Sequence, residues 1–118
     1  MTGYGAATAE VVAKLDAAGI PATADAASLQ APGVWVTPAA IDFALMDGSE
    51  YFASWELYLV SPDLDAVSAL DHLTDLAGMI RGVFPQDVTE FRAVTLNLPN
   101  IAADGVPALT TTLELKVT

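Results

Sequence analysis

The only histidine, His72, stands beside Asp71 and three residues before Asp75 in a segment with helical spacing. An imidazole oriented by a carboxylate is the pairing a general base requires. No nucleophile or second ligand shares that segment, however, and a solvent-facing residue on an amphipathic helix accounts for His72 with fewer assumptions. Three carboxylate pairs, Asp63/Asp65, Asp71/Asp75 and Asp47/Glu50, could serve acid–base or metal chemistry. Asp71 and Asp75 share one helix face by their spacing. A magnesium or calcium ion would need further oxygen ligands on a rigid frame. Asp63-Leu64-Asp65 lacks the continuing alternation and the glycine of a calcium loop, and Asp47-Gly48-Ser49-Glu50 reads as a turn. Ser28, Ser49, Ser54, Ser61 and Ser68 have no base partner at sequence level, and Gly3-Tyr4-Gly5 has no strand before it. No dinucleotide fingerprint, phosphate loop, nucleophile elbow or paired-histidine zinc motif occurs. With no cysteine, disulfides, thiolate zinc sites and thiol catalysis are excluded together. The expectation is a non-enzymatic chain with no metal and no cofactor.

Charge narrows the partners. Fifteen acids stand against four bases, Lys14, Arg81, Arg92 and Lys116, for a net charge of −11 over 118 residues. Nucleic-acid binders cluster lysine and arginine against phosphate. Here the bases are scattered, so neither tight nucleic-acid binding nor binding to an anionic membrane is expected. The acidity serves solubility, or a surface that repels a polyanion passing nearby. The first residues lack a basic stretch followed by an apolar one, and no run approaches the ~20 apolar residues of a membrane span. A soluble product made in the cytoplasm is the expectation.

The elements that must position any site follow from periodicity. Residues 8–18 read as a helix, with Val11, Val12, Leu15 and Ala18 on one stripe, Thr8 as N-cap, and Gly19 and Pro21 as its stop. A short, weakly marked strand and a loop are expected over residues 21–33. Residues 34–37 form a strand interrupted by Pro38, at a sheet edge or a bulge. Ile41, Phe43 and Leu45 alternate with Asp42 and Ala44, as in a half-buried strand. Asp47-Gly48 signals a hairpin. The return strand, residues 50–60, puts Trp55, Leu57 and Leu59 on one face and Ser54, Glu56 and Tyr58 on the other. After Ser61-Pro62-Asp63 comes a second helix with a stripe of Leu64, Val67, Leu70, Leu73, Leu76 or Ala77, Ile80 and Phe84. Asp63 or Asp65 suits its start and Arg81 its end. Strands at residues 91–98 and 108–117 close the chain. With the weakly marked strand at 21–33 left out of the count, the order α-β-β-β-α-β-β predicts one α+β domain over residues 1–118. Its sheet is mainly antiparallel or mixed, of four to five strands, with two helices gathered on one face.

The strand at residues 50–60 carries large groups on both faces, including Tyr51, Phe52, Trp55 and Tyr58. Such a strand is central and covered on both sides, either within the chain or by helices on one face and a neighbouring subunit on the other. Two helices in a small chain cover two faces poorly, which argues for a homo-oligomer. The exposed connections, the hairpin at residues 46–51 and the loop at residues 101–106, are the candidate contact elements. The contact residues they nominate are Met46, Asp47, Glu50, Tyr51, Phe52 and Asp104.

The layout resembles the tail terminator proteins of long-tailed, non-contractile bacteriophages and similar small neck proteins. The shared features are a first helix broken at Gly19-Ile20-Pro21 and the entry Pro32-Gly33-Val34-Trp35-Val36 into a short strand. A long strand then runs through Trp55-Glu56-Leu57-Tyr58-Leu59-Val60 into Ser61-Pro62-Asp63, followed by the helix segment Ala69-Leu70-Asp71-His72-Leu73. An alternating last strand over residues 110–117 completes the likeness, which covers nearly the whole chain through structural rather than diagnostic motifs. The resemblance implies a virion protein of the tail and neck region: a hexameric ring at the head-proximal end of the tail tube. Such a ring stops tube polymerisation, contacts the tail tube protein and the head–tail connector proteins, and lets DNA pass through its hole. It supplies no catalytic residues. A head–tail stopper or tail-completion protein is the neighbouring reading, and a small ligand-binding or enzyme domain of ferredoxin-like shape is the reading from another class.

Overall fold

Tyr4, Ala7, Thr8, Val11 and Leu15 recur at intervals of three, one, three and four residues, and their side chains fix the first helix onto the sheet. This helix, α1 (Tyr4–Ala17), buries Ala7, Thr8, Val11 and Leu15. The computed structural model describes residues 2–43, 50–61, 65–88, 90–97 and 105–118. After α1 come β1 (Ala22–Thr23), a single 3-10 turn (Ala26–Ser28), β2 (Gly33–Asp42), β3 (Tyr51–Val60), α2 (Ala66–Val83), β4 (Arg92–Leu96) and β5 (Val106–Val117). The five strands form one sheet in the order β1-β2-β3-β5-β4. Only β1 and β2 run parallel; the other neighbours are antiparallel. The architecture is therefore α+β with a mixed sheet, and β3 lies at its centre.

Two details of α1 differ from the sequence expectation. The helix begins one turn earlier, at Tyr4, with Gly3 as a cap that makes no side-chain bond. Thr8 lies inside the helix rather than at its end. Its hydroxyl donates to the Tyr4 carbonyl at 2.7 Å and accepts the Trp55 indole N–H at 2.9 Å. The reason for the early start is the Tyr4 ring, 5.4 Å from that of Trp55, with a hydroxyl that donates to the Ser54 carbonyl and accepts from the Ala39 amide. Tertiary packing thus supplies the first turn where no capping side chain does. The stop is as expected. Gly19 takes φ +85°, the left-handed conformation that ends a helix at little cost for glycine.

The two expected strands around Pro38 are one strand, β2, whose register shifts between Pro38 and Ala40. A bulge absorbs the proline without ending the pairing. Pro38 is tolerated because β1 pairs only with Val34 and Trp35, so that farther along, among the described residues, β2 is an edge strand. Gly33 opens β2 where a Cβ would stand 2.3 Å from the Gln30 carbonyl oxygen, a space no other residue fits.

Both helices pack on one face of the sheet. The core joins Val11, Leu15, Val34, Val36, Trp55, Leu57, Leu59, Leu73, Ile80 and Leu113. Asp65 caps α2 by accepting the Ser68 amide at 3.1 Å. Its companion Asp63 lies outside the described residues. The α2 stripe differs from the expected one: Val67 is 71% and Leu70 48% exposed, whereas Ala69, Leu73, Leu76, Ile80 and Phe84 are buried. Steps of three residues turn by 300° and spiral off the face; the steps of four, three, four and four from Ala69 to Phe84 stay on it.

Candidate contact surface

Alternation along β3 sets the surface. Tyr51, Ala53, Trp55, Leu57 and Leu59 point under the helices, and Phe52, Ser54, Glu56, Tyr58 and Val60 point to the opposite face. Across the register, Phe52 lies opposite Lys116, Ser54 opposite Glu114, Glu56 opposite Thr112 and Tyr58 opposite Thr110. On β2, Trp35 lies opposite Tyr58, their ring centroids 5.3 Å apart. These residues make up the face away from the helices.

That face has two halves. One end is apolar and covered from within the chain: Leu29, 4% exposed, packs with Val60, Val106 and Ala108, and Ala31, Trp35, Val94 and Leu96 pack around them. The segment after β1, held by the Asp25 carboxylate accepting from the Ala27 amide and the Ser28 hydroxyl, brings Leu29 there. The other half carries Phe52, Ser54, Glu56, Thr112, Glu114 and Lys116. Glu56 accepts from the Thr110 hydroxyl at 3.1 Å and the Thr112 hydroxyl at 2.8 Å. Lys116 reaches Glu50 at 3.1 Å. Among the described residues, this half is a polar surface, with Thr112, Glu114 and Lys116 exposed and the half-buried Phe52 at its edge.

Of the nominated contact residues, Glu50 and Phe52 lie together beside Lys116 on this face. Tyr51 does not. It is 2% exposed, its ring lies 5.5 Å from that of Phe43, and its hydroxyl donates to the Thr2 carbonyl at 2.8 Å. Its odd position in β3 turns it to the core, so it is withdrawn from the contact set. Met46, Asp47 and Asp104 lie outside the described residues.

Among the described residues, the chemistry candidates are not gathered into a site; Asp47, Ser49 and Asp63 lie outside them. Asp71, His72 and Asp75 are exposed on α2. Among the described residues, no group of three or more histidines, cysteines and acids could hold a metal ion. A cleft of about 300 Å³ opens between α1 and the end of β5, lined by Ala7, Val11, Lys14, Trp55, Leu115 and Val117 among others. Trp55 forms its floor but is fully buried, and its N–H is already bonded to Thr8. Among the described residues, no helix is long and apolar enough to cross a membrane.

Leu29 was not singled out from the sequence as a covering residue. The available signal was slight: it is the one large apolar side chain in the alanine-rich stretch at residues 22–31. No protein-family model matches the chain, and no curated protein matches it significantly.

Proposed function

We propose that this chain is a structural subunit of a bacteriophage tail, a tail terminator that forms a hexameric ring at the head-proximal end of the tail tube. The observation that carries the reading is the sheet's unequal covering. Helices cover one face, while the other is covered at one end by the Leu29 segment and, among the described residues, polar and partly exposed at the other. A partly exposed sheet face of this kind suits packing against neighbouring protein better than enclosing a small molecule. The net charge of −11 supports the same reading, since a like-charged lumen lets DNA slide without sticking. Tail tube protein on one side and head–tail connector proteins on the other are the partners this role requires. The work is assembly in the host cytoplasm and residence in the virion.

The test is to image the purified protein by electron microscopy, alone and with tail tubes, while measuring its mass across protein and salt concentrations. Six-membered rings with a central hole, alone or on tube ends, are expected. Salt that screens the charge should strengthen them. A protein that stays monomeric throughout and never appears on tubes would remove the proposal. Crosslinks to portal-side rather than tube-side proteins would move the assignment to a head–tail stopper.

A further inference from the structure

Besides the two-residue strand β1 at one end of the sheet, there are, among the described residues, three places where a strand could be added, and they differ in how well they would accept one. Beyond its pairs with β1 at Val34 and Trp35, β2 has an outer edge, but Pro38 and the register shift after it interrupt the ladder. The outer strand β4 is short, with five residues. The third place is the far part of β5. Its pairing with β4 ends at Thr110, while its pairing with β3 continues without a shift to Val117. Among the described residues, no strand pairs with the outer side of β5 beyond Thr110. The turn before β4 comes close only at the start of this stretch, where the Thr111 hydroxyl donates to the Glu90 carbonyl. Residues 113–117 thus form a regular edge with no proline and no bulge.

A lysine on an edge strand ordinarily discourages pairing. Here Glu114 lies two residues before Lys116, on the same face of the sheet, so the edge is complementary to itself. We propose that two copies of this chain pair antiparallel along β5, about a two-fold axis at Leu115. In that register, Glu114 of each copy lies opposite Lys116 of the other. On the helix face, Leu113 lies opposite Val117 and Leu115 opposite its own counterpart. Leu115, half-buried at the wall of the cleft beside α1, gains an apolar neighbour. Charge selects this register. With helices on the same side, moving the axis by one residue sets Glu114 against Glu114 or Lys116 against Lys116, and like charges directly opposite disfavour pairing. Lys116 keeps Glu50 beside it on its own chain, which adds to the acidic groups around its ammonium. The contact is isologous and closes after two copies. It is therefore distinct from the head-to-tail contacts of a ring and does not rest on the proposed function.

The experiment uses exposed charges only, so the fold is spared. Sedimentation equilibrium would be run on the wild type, Glu114→Lys, Lys116→Glu, the double exchange, and an equimolar mixture of the two single variants, with melting curves as a control on folding. The wild type is expected to show an association step that joins two copies, at twice 12.2 kDa, separate from any ring formation. Each single variant should dimerise about tenfold more weakly or worse. The double exchange should restore the dimer, and the mixture should form a heterodimer because every opposed pair then has opposite signs. A wild type that stays monomeric would overturn the inference. So would a wild-type assembly, of any size, that is indifferent to the charge reversals; a sixfold mass of that kind would leave the ring reading standing.

Discussion

The bond between Trp55 and Thr8 offers a quantitative test of how α1 is held to the centre of the sheet. The indole N–H donates to the Thr8 hydroxyl at 2.9 Å, and Trp55 is fully buried. Replacing Thr8 with the isosteric valine leaves that N–H without an acceptor, at a cost of about 1–3 kcal/mol. Trp55→Phe removes the donor and part of the ring; losing the bond and leaving a void should together cost about 2–4 kcal/mol. The double variant has no orphaned donor, so it should be about 1–2 kcal/mol more stable than the two single losses added together. Urea unfolding reads all four proteins, and the m-values should agree if the native fold is retained. A neutral Thr8→Val, or strict additivity in the double variant, would refute the assignment of this bond as the anchor of α1.

Two further predictions address the frame. Gly33→Ala should destabilise by more than about 2 kcal/mol, seen as a lowered melting temperature, because the new Cβ meets the Gln30 carbonyl at 2.3 Å and backbone cannot step aside cheaply. The phase of α2 can be tested by a pair of truncations. Leu73→Ala should cost about 3 kcal/mol or more, since Leu73 is fully buried, while Leu70→Ala at 48% exposure should stay within about 1 kcal/mol in a urea titration.

The alternation of β3 was fully legible, because a period of two leaves no choice of face once Trp55, Leu57 and Leu59 are assigned inward. The order of helices and strands was legible in outline, because turn and stop signals such as Gly19 are local; the two strands expected around Pro38 are one. What escaped depended on contacts distant in sequence. The first turn of α1 forms because Tyr4 meets Trp55, and nothing in the residues around Tyr4 announces that. Leu70 seemed a core residue because steps of three resemble a stripe over one turn; only the sheet beneath shows which phase is buried. Pro38 read as an interruption at a sheet edge or a bulge, and the structure has both; what escaped is that the pairing runs on through it to Asp42, because among the described residues no neighbour pairs with that edge. Among the candidate contacts, Glu50 and Phe52 come together beside Lys116, whereas Tyr51 goes to the core by the same alternation that places Trp55 there.

The proposed role of this chain is to end a tail tube. The most direct test is the length distribution of tubes assembled from tail tube protein with and without it, measured by electron microscopy. Tubes of limited length, each with a ring of this protein at one end, are expected with it, and tubes of uncontrolled length in its absence. Identical length distributions with no protein at the ends would contradict that role.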